Sequence, residues 1–153
     1  FVKPSMLFRP WYRARIEQAL GVKLSMVTAR GIDMAALAAR LMSGGRPLLI
    51  MDTDSNHEPI LAAFPNHPQG TAIRILPRGQ PLPSTEMLDR ETRALFAGYQ
   101  LEPNAPADRR GFSAIAYRDY ARPWHFLAAE WTQRGKTSEA AAASLMAERF
   151  QLR

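Results

Sequence analysis

The densest chemistry in this chain is the run Asp52-Thr53-Asp54-Ser55-Asn56-His57-Glu58. Asp52, Asp54 and His57 offer carboxylate oxygens and an imidazole, a donor set that suits a hard or borderline divalent metal. Such a site needs further ligands, and His67 is the nearest by sequence. Without a metal, the same residues suit general-base catalysis, with His57 taking a proton and a carboxylate orienting its ring. Either way the product is a hydrolase or transferase. Placement matters as much as residue type. The run follows the apolar stretch 46–51 directly, and in α/β sheets ligands bind in crevices outside the carboxyl ends of strands. A plainer use competes with these. Asp and Asn also favour turns and helix caps after a strand, and His57 is then an ordinary surface histidine.

A second chemistry lies where guanidinium groups alternate with rings. One segment is Phe8-Arg9-Pro10-Trp11-Tyr12-Arg13-Ala14-Arg15. Another begins Arg109-Arg110-Gly111-Phe112 and continues from Tyr117-Arg118 through Asp119, Tyr120 and Arg122 to Trp124 and Phe126. Arginines neutralise phosphates, and rings stack on bases. On a helix, Arg9 and Arg13 share a face, as do Trp11 and Arg15. Arg9, Arg13, Arg15, Arg109, Arg110, Arg118 and Arg122 are therefore the candidate anion-binding residues, for nucleic acid or an acidic protein surface. The competing use is structural, with Trp11, Trp124 and Phe126 in the core and arginine stems laid over them.

Other motifs are refused on physical grounds. Gly135-Lys136-Thr137 resembles the end of a phosphate-binding loop, but that loop needs a glycine five residues earlier, where Glu130 stands. The chain has no G-x-S-x-G, no H-E-x-x-H and no Rossmann glycine fingerprint. Two C-terminal helices joined by Gly135-Lys136 fit a helix-turn-helix spacing. The second opens Ser138-Glu139-Ala140-Ala141, without the side chains that read base edges. A plain helical hairpin packing Leu145, Met146 and Phe150 is expected instead.

The elements that must position these groups follow from pattern and punctuation. Phe8 to Leu20 reads as a helix ended by Gly21, and Lys23 to Thr28 as a short strand. Asp33 is an N-cap for a helix burying Met34, Leu37, Ala38, Leu41 and Met42, closed by Gly44-Gly45. The run 46–51 reads as a fully buried strand. Strand, helix and strand over 23–52 have the length of a βαβ unit. His57 to Phe64 suits a strand or a short helix, and Pro65 to Gly70 a turn. Thr71 to Leu76 alternates as a strand. Ser84 caps a helix to Ala97 with Met87, Leu88, Leu95 and Phe96 inward. Glu102 to Gly111 reads as a linker and Phe112 to Tyr117 as a last strand. Pro123 opens a helix to Gly135, and Thr137 or Ser138 caps the final one.

Composition sets the bounds. The 153 residues include 46% hydrophobic and 22% charged types, near the globular average. The absence of cysteine excludes a disulfide framework, a thiolate metal site and a cysteine nucleophile in this chain. No apolar run nears the roughly 18 residues of a membrane span. The chain opens on Phe1 without a signal-peptide layout, as a single domain or a fragment of a larger protein does. The expected compartment is the cytoplasm.

Net charge is +6, with arginine the dominant base. Basic residues crowd the two ends, and acidic ones the middle. Two outcomes follow: the ends join as one basic face for an anionic partner, or they pair with the acidic middle. The expected architecture is a single α/β domain. It has a small mixed sheet of three to five strands and about five helices, including the βαβ unit at 23–52 and the C-terminal helix pair. The leading expectation is a non-catalytic recognition domain with no cofactor. The alternative is the hydrolase or transferase at Asp52, Asp54 and His57, with a divalent metal held there and by His67.

Overall fold

A computed structural model describes residues 32–45, 47–50, 57–99 and 112–151, with positions 14, 17, 18 and 21; side chains in the last stretch are described from Tyr117 onward. The chain divides into two compact units, residues 1–32 and 33–153. In the first, Ala14, Glu17 and Gln18 are helical, and Gly21 has a positive φ of 63°. This agrees with a helix closed by that glycine. The expected strand at 23–28, and with it the βαβ unit, lies outside the described residues.

The second unit opens on a capped helix, α1 (Met34–Met42). The Asp33 carboxylate accepts from the amides of Ala35 and Ala36 at 2.9 and 3.0 Å, satisfying donors that a helix start leaves free. Strand β1 (Leu48–Ile50) follows, then α2 (Glu58–Ala63), with Pro59 in its first turn. Of the two readings of 57–64, the helix is the one realised. The Asn66 amide closes it by donating to the carbonyls of Leu61 and Phe64.

Strands β2 (Asn66–Gln69) and β3 (Ala72–Ile75) form a hairpin around Gly70-Thr71. Gly70 has φ 59°, and a Cβ there would stand 2.5 Å from the Tyr99 hydroxyl, so only glycine fits without strain. The segment 65–70, expected as a turn, is therefore mostly strand. Pro68 is tolerated because β2 is an edge strand. The described sheet has order β1-β3-β2, and both pairings are antiparallel. β1 is also an edge. Leu49 is 48% exposed, which corrects the expectation of a fully buried strand at 46–51.

The register separates two faces of the sheet. Leu48, Ile50, Ile73 and Ile75 face one way and pack with Ala38 and Met42 of α1 and with Ile60 and Phe64 around α2. Leu49, Arg74 and His67 form a row on the other face. α4 (Phe112–Gln133) contacts β2.

The remaining helices make a second core. α3 (Thr85–Ala97) is capped by Ser84, whose hydroxyl accepts from the Met87 amide, and ends at Gly98. α3 runs antiparallel to α4. Its start is tied to the end of α4 by Thr85 to Glu130 at 3.3 Å and by Arg134 to Glu86 at 2.6 Å. Its end, at Phe96, meets Tyr120 and Trp124. α5 (Thr137–Glu148) returns along α4, burying the small side chains of Ala143 and Ala147.

Several expectations are corrected here. Residues 112–117 are helical, not a strand, because α4 runs unbroken from Phe112 to Gln133. Pro123 sits inside α4, fully buried, rather than opening a helix. An interior proline forfeits a helix hydrogen bond, and burial of the neighbouring Trp124 and Leu127 offsets that loss. The residue at the N-cap of α5 is Lys136, with no side-chain cap bond. Met87, Leu95 and Leu145 face solvent, while Thr85, Leu88, Thr92 and Phe96 form the inner side of α3.

Candidate functional site

Asp52 and Asp54 lie outside the described residues, as do Arg9, Arg13, Arg15, Arg109 and Arg110. His57 occupies the N-cap position of α2 without a side-chain cap bond there. Its ring borders a cavity of about 210 Å³ beside the carboxyl end of β1. The walls are apolar, chiefly Met34, Leu37, Leu41, Ile50 and Ile60. A space beside that strand end is where the sequence pointed, but its lining suits hydrocarbon better than phosphate.

His67 lies elsewhere. It is 2% exposed, in β2, with Nδ1 3.0 Å from the Pro68 carbonyl oxygen. Burial pushes its pKa below the ordinary value, and the Pro68 hydrogen bond only partly opposes this. Arg74 across the strand lowers it further, and Glu91 of α3 raises it. A neutral buried imidazole in a sheet is well placed for packing. Among the described residues, no three His, Asp or Glu side chains are grouped to hold a metal ion.

Of the arginine and aromatic segment, Arg118 is exposed on α4, and Arg122 is half-buried and paired with Asp119. The rings between them do not reach out. Tyr117 and Trp124 are buried, and Tyr120 and Phe126 pack against the same core. Arg93 lies over the Trp124 ring at 5.5 Å, a guanidinium covering a core residue. Gly135-Lys136 closes α4: the Lys136 amide donates to Trp131 and the Gly135 amide to Thr132, the pairing of a Schellman turn. Its likeness to a phosphate loop has that structural origin.

Sequence reasoning missed Arg74. It lies on the central strand, half-buried, and lines a cavity of about 270 Å³ with Gln80 and apolar neighbours. Its signal was present: one charge inside Ala72-Ile73-Arg74-Ile75-Leu76. A third cavity, about 220 Å³, lies alongside and shares Met42 and Pro77 with it. There Arg78 lies over the Phe64 ring at 5.0 Å and donates to the Ala63 carbonyl.

Compared with known proteins, the chain matches no family model, no curated protein and no solved structure.

Proposed function

We propose that the protein is a non-catalytic recognition domain whose arginine-rich ends bind an anionic partner, foremost the phosphates of a nucleic acid. One observation carries this reading. Residues 33–153 hold fourteen basic and thirteen acidic side chains, so that unit is nearly neutral. Residues 1–32 carry +5 of the +6 surplus. Residues 1–31 alone contribute Lys3, Arg9, Arg13, Arg15, Lys23 and Arg30 against the single acid Glu17. A strongly basic stretch in a chain that is otherwise nearly neutral is an electrostatic footprint for a polyanion.

On the C-terminal side, the contribution falls to Arg118 with Arg109 and Arg110, since Asp119 already holds Arg122. Tyr117 and Trp124 are buried, so neither ring is open to stack on a base. Phosphate contact should then dominate, with a steep salt dependence. The test is fluorescence anisotropy with labelled oligonucleotides between about 50 and 200 mM salt. The triple variant Arg9→Gln, Arg13→Gln, Arg15→Gln should lower the log–log salt slope by about 2–3 and weaken binding uniformly across sequences. Binding that ignores salt, or that the triple variant leaves intact, refutes the nucleic-acid reading. Binding to an acidic protein instead would identify the competing anionic partner.

A second reading rests on the cavity beside His57. In it, His57 acts with Asp52 and Asp54 in a hydrolase or transferase, metal-assisted or His-dependent. Asp54→Ala and His57→Ala then abolish turnover, whereas the recognition reading leaves oligonucleotide binding unchanged in both.

A further inference from the structure

We propose that the segment 80–84, between β3 and α3, is a preformed polyproline II ridge that docks into a groove of aromatic side chains on a partner protein. Its sequence is Gln80-Pro81-Leu82-Pro83-Ser84. Each pyrrolidine ring fixes φ at about −65°, and each proline also drives the residue before it to extended backbone. Pro81 and Pro83 thus constrain themselves and Gln80 and Leu82 as well. Ser84 continues the path with φ −63° and ψ 153°, close to the polyproline II values of about −75° and 145°. Both ends are tied down. The Gln80 amide donates to the Pro77 carbonyl at 3.1 Å, and the Ser84 hydroxyl accepts from the Met87 amide at 3.2 Å.

Burial along the segment follows the threefold repeat of that helix. Gln80 and Pro83 share an edge: Gln80 borders a cavity with Leu76 and Pro77, and Pro83 is half-buried. Pro81 and Leu82 lie on the other edges and are exposed, Leu82 by 48%. The carbonyls of 80–83 accept no hydrogen bond among the described residues, as is usual for a helix without internal bonds. These features fix the chemistry of the partner. Flat rings pack against a pyrrolidine and a leucine, while Trp N–H and Tyr O–H groups donate to the open carbonyls. Because the ridge has its bound shape beforehand, docking loses little conformational entropy. This surface is separate from the arginine-rich ends, and its partner is an apolar groove and not a polyanion.

The experiment is biolayer interferometry of the full chain over a panel of purified WW domains and Src-homology-three domains, whose aromatic grooves take proline-rich segments. At least one module should bind saturably. Its affinity should change by less than about twofold between roughly 50 and 200 mM salt, unlike phosphate-driven binding. Pro81→Ala and Leu82→Gln should each weaken it by about tenfold or more. Both positions are exposed, so circular dichroism should show both variants folded. Leu145→Gln removes a still more exposed leucine from α5 and should leave binding unchanged. No saturable binding by any module, binding that salt abolishes, or Pro81→Ala and Leu82→Gln proteins that bind like the original would each overturn the proposal. So would an equal loss in Leu145→Gln, which would place the contact on another face.

Discussion

The two hydrophobic clusters of residues 33–153 are built from different side chains. The one beneath the sheet is aliphatic, with Ile50, Ile60, Ile73 and Ile75 around Ala38 and Met42, and Phe64 as its single ring. The one among α3, α4 and α5 is aromatic. Phe96, Tyr99, Tyr117, Tyr120, Trp124 and Phe150 meet with ring centroids 5.0 to 6.1 Å apart, tilted or edge-on. Large rings bury more area per residue and add edge-to-face attraction, so the helical cluster carries more stability for its size. The sheet has short strands, two edges and ligand-sized spaces beside α1, β1 and β3. Dense packing and open space are thus divided between the two. The helices hold the unit together, and the sheet side leaves room for a ligand.

The largest effect that tests this division is Trp124→Ala. The side chain is 1% exposed at the centre of the aromatic cluster, and its loss should cost about 3–5 kcal/mol. Ile75→Ala removes an equally buried side chain from the sheet core. Its cost should fall near the lower end of the ~2–5 kcal/mol range, because Ile75 already lines a cavity into which the site can relax. Urea denaturation followed by circular dichroism measures both. Equal costs, or a larger one for Ile75→Ala, would break the comparison.

A smaller effect sits where the two regions meet. His67 is buried in β2, near Arg74 of β3 and Glu91 of α3, and burial holds its pKa below 6.5 in the folded state. The unfolded chain therefore binds the proton first. Stability should be complete above pH 6.5 and decline as pH falls from there toward the lowered folded value. Carboxylates remain largely ionised in the upper part of that window, so the slope belongs to the imidazole. His67→Gln should flatten the stability profile between about pH 5 and 6.5. An unchanged slope in thermal melts across that range would mean that the imidazole is solvated in the folded protein.

What the sequence disclosed was mostly local chemistry. Asp33 and Ser84 were legible as caps because a short acceptor before an apolar stripe has few other uses, and both make those bonds. Gly98 and Gly135 marked helix ends for the same kind of reason. The failures came where distant packing decides. Pro65 to Gly70 contains every turn former, yet Asn66–Gln69 is held extended by pairing with β3. Pro123 has the residue type of a helix start, and burial beneath the aromatic cluster overrides it. Of the candidate site, His57 lines a cavity with Leu48, Leu49 and Ile50. The apolar character of its cavity came from α1, which no spacing around Asp52 reveals. Arg74 was overlooked because a lone charge in a strand reads as a solvent-facing alternation, and only the sheet register shows it beside a buried histidine.

The smallest effect is the most specific check on the helical side. Leu145 has the type and helical spacing of a core residue and was expected to pack with Met146 and Phe150. It is 63% exposed, because α5 buries its alanine stripe at Ala143 and Ala147 and turns Leu145 away. The small side chains let α5 approach α4 closely, and a leucine on the same stripe would force the helices apart. Leu145→Gln should therefore shift stability by no more than about 0.5 kcal/mol. The same substitution distinguishes an idle exposed leucine from one that docks a partner. If two copies of the chain met through this face, Leu145→Gln would make the apparent melting temperature less dependent on protein concentration. With α5 packed only on α4, the variant and the original should melt alike at every concentration.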